Sequence, residues 1–159
     1  MIDKDGYREN VGIILCNSKN KLLVCKRHKE NSWQFPQGGF EKDENSESAM
    51  YRELFEEIGL DKSDVKILGK TKDWLRYDLP RKFQRKTNNQ LCVGQKQVWF
   101  LLRLVTKESS INLLTSNKPE FDSWKWVNKS EPLETVIDFK REVYMKALNE
   151  LMPYIETLY

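Results

Sequence analysis

Histidine is almost absent from this chain. His28 is the only one among 159 residues, which excludes a metal centre built on a cluster of imidazoles. Cysteine is nearly as sparse. Cys16, Cys25 and Cys92 form no C-x-x-C pair and leave an odd count, which argues against a zinc site or a disulfide framework and for reduced thiols in a core. No apolar run approaches the roughly 18 residues of a membrane-crossing helix. The opening Met1-Ile2-Asp3-Lys4-Asp5 lacks the apolar stretch of a secretory leader, so the cytoplasm is the expected compartment. Repeats, low-complexity tracts and Gly/Ser linkers are missing too, so a single domain over residues 1–159 is expected.

What remains is a globular composition, 39% hydrophobic and 32% charged. The net charge of +3 is unevenly spread. Glu41 to Asp64 holds nine acidic residues against Lys42, Arg52 and Lys62, so the rest of the chain is strongly positive. Between Arg76 and Lys86 lie Arg76, Arg81, Lys82, Arg85 and Lys86, with Tyr77 and Phe83 interleaved. Such a run suits either a nucleic acid strand or a solvated loop. The apolar pattern predicts strands over Val11–Cys16, Leu22–Cys25, Gln97–Leu104 and Trp124–Val127. Asn17 to Lys21 reads as the turn joining the first two as a hairpin. Trp33-Gln34-Phe35 is a short extended piece before Pro36, and a further strand is expected from Val65 through Trp74 and Tyr77. From Phe139 onward, Val143, Ala147, Leu148, Leu151 and Ile155 recur at helical spacing, with Pro153 expected to kink or end the last turn. The class is α+β, a mixed sheet flanked by helices.

The most informative stretch is Arg52-Glu53-Leu54-Phe55-Glu56-Glu57-Ile58-Gly59-Leu60. On a helix, about 100° of rotation per residue gathers Glu53, Glu56 and Glu57 within roughly a third of the circle, beside an apolar stripe of Met50, Leu54 and Ile58. Stacked carboxylates repel, so the face is either simply solvated or offset by a cation, and oxygen ligands favour Mg²⁺ or Mn²⁺. Ser46 is the expected N-cap and Gly59 the residue that ends the helix. Gln37-Gly38-Gly39 is expected to form a loop whose backbone can take positive φ and approach a ligand closely.

With Gly38 and Glu44 upstream, the run fits G-x5-E-x7-R-E-U-x-E-E-x-G-U from Gly38 to Leu60 without a mismatch. Seven fixed positions over such a window set it apart from a lone short motif. It resembles the signature of the Nudix family. The resemblance implies an α/β/α sandwich around a central mixed β-sheet, and hydrolysis of a phosphoric anhydride. It further implies a divalent ion held by Glu53, Glu56 and Glu57, and a brace between Arg52 and Glu44, with Gly38 and Gly59 as structural glycines.

Outside that window, Asp5-Gly6-Tyr7-Arg8, Trp33 to Gly39, Trp74-Leu75-Arg76-Tyr77, Gly94-Gln95-Lys96-Gln97, Pro119-Glu120-Phe121-Asp122 and Phe139-Lys140-Arg141 resemble the bacterial branch of the family that acts on the 5′ end of RNA. That implies removal of pyrophosphate from 5′-triphosphorylated RNA, promoting mRNA decay, with Mg²⁺, or Mn²⁺ in its place, as cofactor. Glu120 is then a fourth metal carboxylate, and Glu53, Glu57 and Glu120 are the candidate bases. The resemblance also nominates Arg8, Arg27, Ser32, Gln34, Tyr77, Gln95, Ile137, Phe139 and Lys140 as substrate-binding residues. Arg8, Arg27 and Lys140 would meet phosphate or a base edge, while Ile137, Phe139 and Tyr77 would wall a base pocket. Phe139 also reads as a core residue. Diadenosine polyphosphate hydrolases of the same branch share the Trp33–Gly39 segment, so dinucleoside polyphosphates are the alternative substrate class. A binding module that has lost catalysis is the third reading, against which the unbroken signature stands.

Overall fold

The computed structural model describes residues 2–156. Ten strands and four α-helices follow in chain order: β1 Tyr7–Cys16, β2 Leu22–Arg27, β3 Trp33–Gln34, β4 Gln37–Gly39, α1 Ser46–Ile58, β5 Val65–Lys70, β6 Leu75–Asp78, β7 Arg85–Thr87, β8 Gln90–Cys92, β9 Gly94–Leu104, β10 Phe121–Val127, α2 Glu131–Thr135, α3 Arg141–Leu151 and α4 Pro153–Glu156. The main sheet runs β10-β2-β1-β9-β5, with β3 on β2, β4 on β1 and β6 on β9. It is mixed. β1 and β9 pair in parallel from Tyr7–Gly94 to Cys16–Arg103, and the other pairs are antiparallel.

Both central strands are apolar at consecutive positions because both faces of the sheet are covered. Strand alternation sends Val11, Ile13 and Leu15 of β1, with Phe100 and Leu102 of β9, to the face packed by Ala49, Met50, Leu54 and Ile58 of α1. Ile14 and Cys16, with Trp99 and Leu101, point to the other face, against Tyr144, Ala147, Leu148 and Leu151 of α3. Each such leucine or isoleucine, buried completely, contributes about 1.5–3 kcal/mol. The two layers of helix around one sheet are the α/β/α sandwich expected from the signature.

Four local expectations need correction. The hairpin of β1 and β2 closes antiparallel through the turn from Asn17 to Lys21 but pairs only at Cys16–Leu22, and the long pairing of β2 is with β10. Beyond that point the edge of β1 is taken by β4, with Val11 opposite Gly38 and Gly12 opposite Gln37, and the Ile13 N–H donates to the Pro36 carbonyl at 2.9 Å. The segment Trp33–Gly39 therefore fills the gap where β1 and β2 diverge, and that gap becomes the site. The strand expected from Val65 through Tyr77 is two strands, both on β9. Between them the buried Thr71 exchanges bonds with Trp99: its N–H donates to the Trp99 carbonyl, and its hydroxyl accepts from the Trp99 N–H, both at 2.9 Å. The terminal helix begins at Arg141, with Phe139 in a 3-10 turn Asp138–Lys140 before it, and breaks before Pro153. Finally, Asn45 and not Ser46 caps α1: the Asn45 side chain accepts from the Ser48 N–H at 2.8 Å, from extended backbone (φ −90°, ψ 174°). Gly59 ends that helix in the left-handed region at φ 73°, as its position implied.

Candidate active site

Residues of α1 and β4 build the centre together. The expected loop Gln37–Gly39 is the strand β4, and its glycines do not use their freedom to take positive φ: among the described residues the positive-φ glycines are Gly6 and Gly59. Gly38 is needed for room. A Cβ there would lie 1.9 Å from the Glu53 carboxyl carbon and 2.2 Å from each of its oxygens, so the bare strand is the wall against which that carboxylate rests.

Arg52 binds the surrounding pieces together. Its Nε and Nη2 donate to the two oxygens of Glu44 at 2.8 and 2.9 Å, Nη2 also to the Gly39 carbonyl at 2.7 Å, and Nη1 to Glu53 at 2.8 Å and Glu56 at 3.2 Å. A planar fork that grips one carboxylate bidentately suits arginine and not lysine. The guanidinium holds the Glu44 carboxyl below its ordinary range, and Glu44 also accepts from the Glu41 N–H at 2.7 Å, closing the loop before the helix.

Oxygens of Glu53, Glu56 and Glu57 lie within 4.8 Å of one another. Glu53 is 8% exposed, and burial pushes its carboxyl up to about 7 even though Arg52 opposes the shift. Glu57 is also pushed up, by burial first and then by the neighbouring charge of Glu120, and its Oε2 is buried without a partner among the described residues. Glu120 enters from just before β10, where Arg27 Nη1 donates to it at 3.2 Å. Burial and mutual repulsion disfavour the charged forms of Glu53 and Glu57, and a cation among these oxygens would offset both and give Glu57 Oε2 a partner. An all-oxygen donor set of this kind fits a hard divalent cation.

The residues nominated for substrate are spread over β1, β2, β3, β6, β9 and the turns beside them. Arg8 is an exposed residue near the start of β1 and lines, with Arg52, Glu53 and Glu56, a cavity of about 660 Å³. Arg27 pairs with Glu30 as well as Glu120. Ser32 is half-buried, its carbonyl accepting from the Arg27 N–H at 3.0 Å. Gln34 is buried, with its Nε2 unpartnered among the described residues. Tyr77 is buried behind Phe139, ring to ring at 5.7 Å, and Phe139 itself is half-buried, whereas Ile137 is open to solvent. Lys140 reaches the Gln37 Oε1 at 3.5 Å, and burial followed by the charge of Arg27 lowers it to about 8.

Sequence reasoning missed Gln37, Asn10 and Gln97. Gln97 Nε2 donates to Asn10 Oδ1 at 2.8 Å and to Gln37 Oε1 at 3.3 Å, while Gln37 Nε2 donates to Gln95 at 3.2 Å. This chain of amides joins the parallel strands to β4 and the Lys140 ammonium. The available signal was alternation: Asn10 and Gln97 fall on the face shared by Ile14 and Trp99, where a purely structural strand places apolar side chains.

The NUDIX domain profile matches residues 6–147 of the chain. The chain belongs to the NUDIX family. Nudix hydrolases generally use divalent cations such as Mg²⁺, in accord with the donor set above. This NUDIX protein is 57% identical over 150 residues to a protein of Pasteurella multocida named RNA pyrophosphohydrolase, covering 94% of this chain and 76% of that one. A protein of the same name from Edwardsiella ictaluri is 51% identical over 158 residues, covering 99% and 89%. Among solved structures, the dihydroneopterin triphosphate pyrophosphohydrolase of E. coli superposes with a TM-score of 0.69 at 16% identity, over 88% of this chain and 95% of that one. An Ap4A hydrolase of C. elegans superposes with a TM-score of 0.63 at 16% identity, over 92% and 98%. At that identity the likeness is one of fold.

Proposed function

We propose that this NUDIX protein removes pyrophosphate from the 5′-triphosphate end of RNA, leaving a 5′-monophosphate and so promoting mRNA decay. One juxtaposition carries the reading: Glu120, whose charge reaches Glu53 and Glu57 of the acidic group, pairs with Arg27 and feels Lys140, the chain neighbour of Phe139. A polyphosphate joined to a base has complementary parts in that order. The names of the relatives from Pasteurella and Edwardsiella support it. A cytoplasmic setting suits an RNA substrate and three free, buried cysteines.

Mg²⁺, or Mn²⁺ in its place, held by the four carboxylates, supplies polarisation of phosphate oxygens and a lowered pKa for water. Glu53, Glu57 or Glu120 takes the proton of the attacking water. In-line attack on phosphorus breaks the anhydride bond to the departing pyrophosphate. Arg8, Arg27 and Lys140 neutralise the phosphate oxygens as charge develops there. Ile137 and Phe139 wall the base, with Tyr77 behind Phe139, and Ser32, Gln34 and Gln95 offer polar contacts to base or ribose. Arg52 holds the helix against the Gly39–Glu44 loop, which fixes the carboxylates before substrate arrives.

The test is a competition in one sample between a short 5′-triphosphorylated RNA and a diadenosine polyphosphate with Mg²⁺. A kcat/KM favouring the RNA is expected; preference for the free dinucleotide, with no gain from a second or third RNA nucleotide, would replace this reading by the alternative. Glu56→Gln is expected to lose turnover by at least about 100-fold with an unchanged thermal midpoint. A fully active variant would show that the ion is held elsewhere.

A further inference from the structure

Phe83 is an aromatic side chain for which neither the core nor the reaction above has a use. It sits in the 3-10 turn Arg81–Phe83, is 42% exposed, and its ring lies 5.9 Å from that of Phe139. Phe139 lies 5.7 Å from Tyr77, which is 6% exposed. Three rings thus step from the core through the site to the surface. Packing accounts for Tyr77 and for the inner side of Phe139. Phe83 leaves much of its ring in water, at the hydrophobic cost of an exposed aromatic side chain.

Charge distinguishes what would cover it. From Leu79 to Cys92 the chain carries Arg81, Lys82, Arg85 and Lys86 and no acidic residue. Lys82 Nζ stands 5.1 Å from the centre of the Phe83 ring. Arg85 folds back, donating to the carbonyls of Lys82 at 2.9 Å and Gln84 at 3.0 Å, and so holds the turn that presents the ring. Beyond it, β7 and β8 form a hairpin whose Thr87, Asn88 and Gln90 wall the same cavity as Glu53 and Glu56. This one segment meets the site twice, at Phe139 through the Phe83 ring and, through its tip, at the cavity that Glu53 and Glu56 also line. Flat rings flanked by cations that form no ion pair among the described residues match a single strand of nucleic acid, whose bases stack while its phosphates meet the charges.

We propose that Phe83, with Arg81 and Lys82, forms a stacking subsite for a nucleotide downstream of the one whose base Phe139 receives, so that single-stranded RNA runs from the carboxylates across Phe139 onto this turn. The inference rests on the RNA reading of the site and adds a contact that only a longer substrate reaches. Base stacking on an aromatic ring is worth about 1–3 kcal/mol per base.

The experiment compares kcat/KM for unstructured 5′-triphosphorylated RNAs of two and eight nucleotides. Wild-type protein is expected to favour the longer RNA, Phe83→Ala to lower the ratio of the two values by about tenfold, and Phe83→Trp to restore it. Arg81→Gln with Lys82→Gln is expected to lower the same ratio and to flatten its dependence on salt. The subsite is refuted if wild-type protein treats both lengths alike, or if Phe83→Ala lowers both values by one factor. Release of pyrophosphate from neither RNA would instead overturn the functional reading, and the subsite with it.

Discussion

Replacing Gly38 by alanine separates catalysis from stability in a way that follows from one distance. The added Cβ would lie 1.9 Å from the Glu53 carboxyl carbon, whereas carbons in contact sit about 3.5–4.0 Å apart, so the carboxylate has to retreat by roughly 1.6 Å or more. A metal ligand tolerates a deviation of about 0.2 Å, and a displacement near 1 Å costs about 100-fold in rate, or close to 3 kcal/mol of transition-state stabilisation. The fold loses little. Gly38 has no positive φ, so alanine is free of backbone strain, and the clashing atoms are the end of a flexible side chain. Reduced freedom of the unfolded chain adds about 0.4–1 kcal/mol in favour of the variant, against the loss of the Arg52–Glu53 hydrogen bond. Gly38→Ala should therefore lose about two orders of magnitude in kcat while its thermal midpoint moves by a few degrees. Gly39→Ala is the control: its Cβ meets only the Glu9 carbonyl, at 3.8 Å, and activity should stay within a few-fold of wild type. Pyrophosphate release measured across a Mg²⁺ titration decides it. Full activity in Gly38→Ala, or an equal loss in Gly39→Ala, would refute the role given to that wall.

The raised Glu53 sets a pH signature. In metal-free protein the folded state keeps a proton between the ordinary carboxyl range and about 7 that the unfolded chain has released, so stability falls as pH rises through that window, by up to about 3 kcal/mol. A divalent ion takes the ionised form, so the rise in thermal midpoint on adding Mg²⁺ should grow from pH 5 to pH 7.5; a shift independent of pH would contradict the assignment. Gly12→Ala tests the core, since its Cβ would stand 2.4 Å from the Trp99 ring, which Phe35 and Tyr144 pin on its other sides. There the clash has no flexible end to move, and a destabilisation of about 1–3 kcal/mol is expected in denaturant melts; an unchanged midpoint would mean the sheet flexes more than its packing implies. Asn45→Ala should cost about 1 kcal/mol and Ser46→Ala only a few tenths, which chemical denaturation can distinguish; the reverse order would restore Ser46 as the cap.

Much of this was legible in the chain because the relevant periodicities are local. The acidic and apolar stripes of α1 follow from 3.6 residues per turn, and β1 and β9 announce themselves by apolar runs that no half-exposed strand carries. Where reading failed, a distant partner had decided the matter. Nothing in Leu22–Cys25 says that its long partner is β10 rather than β1, nor does Val65–Tyr77 disclose that Thr71 will bond to Trp99 and interrupt the strand. The N-cap moved by one residue because Asn45 and Ser46 are both competent, and only backbone direction chooses between them.

Taken alone, the order of residues determined the class of fold and the signature from Gly38 to Leu60, since local periods and spacing suffice for these, while the pairing of Arg52 with Glu44 was implied by the family resemblance of that signature. Tertiary structure decided why Gly38 is bare, which side chains feel each other's charge, and that Glu120, with Arg27 paired to it, comes close enough to that helix to raise Glu57. Those outcomes depend on atoms within a few ångströms whose positions in the chain lie up to about a hundred residues apart, and no local period encodes such distances.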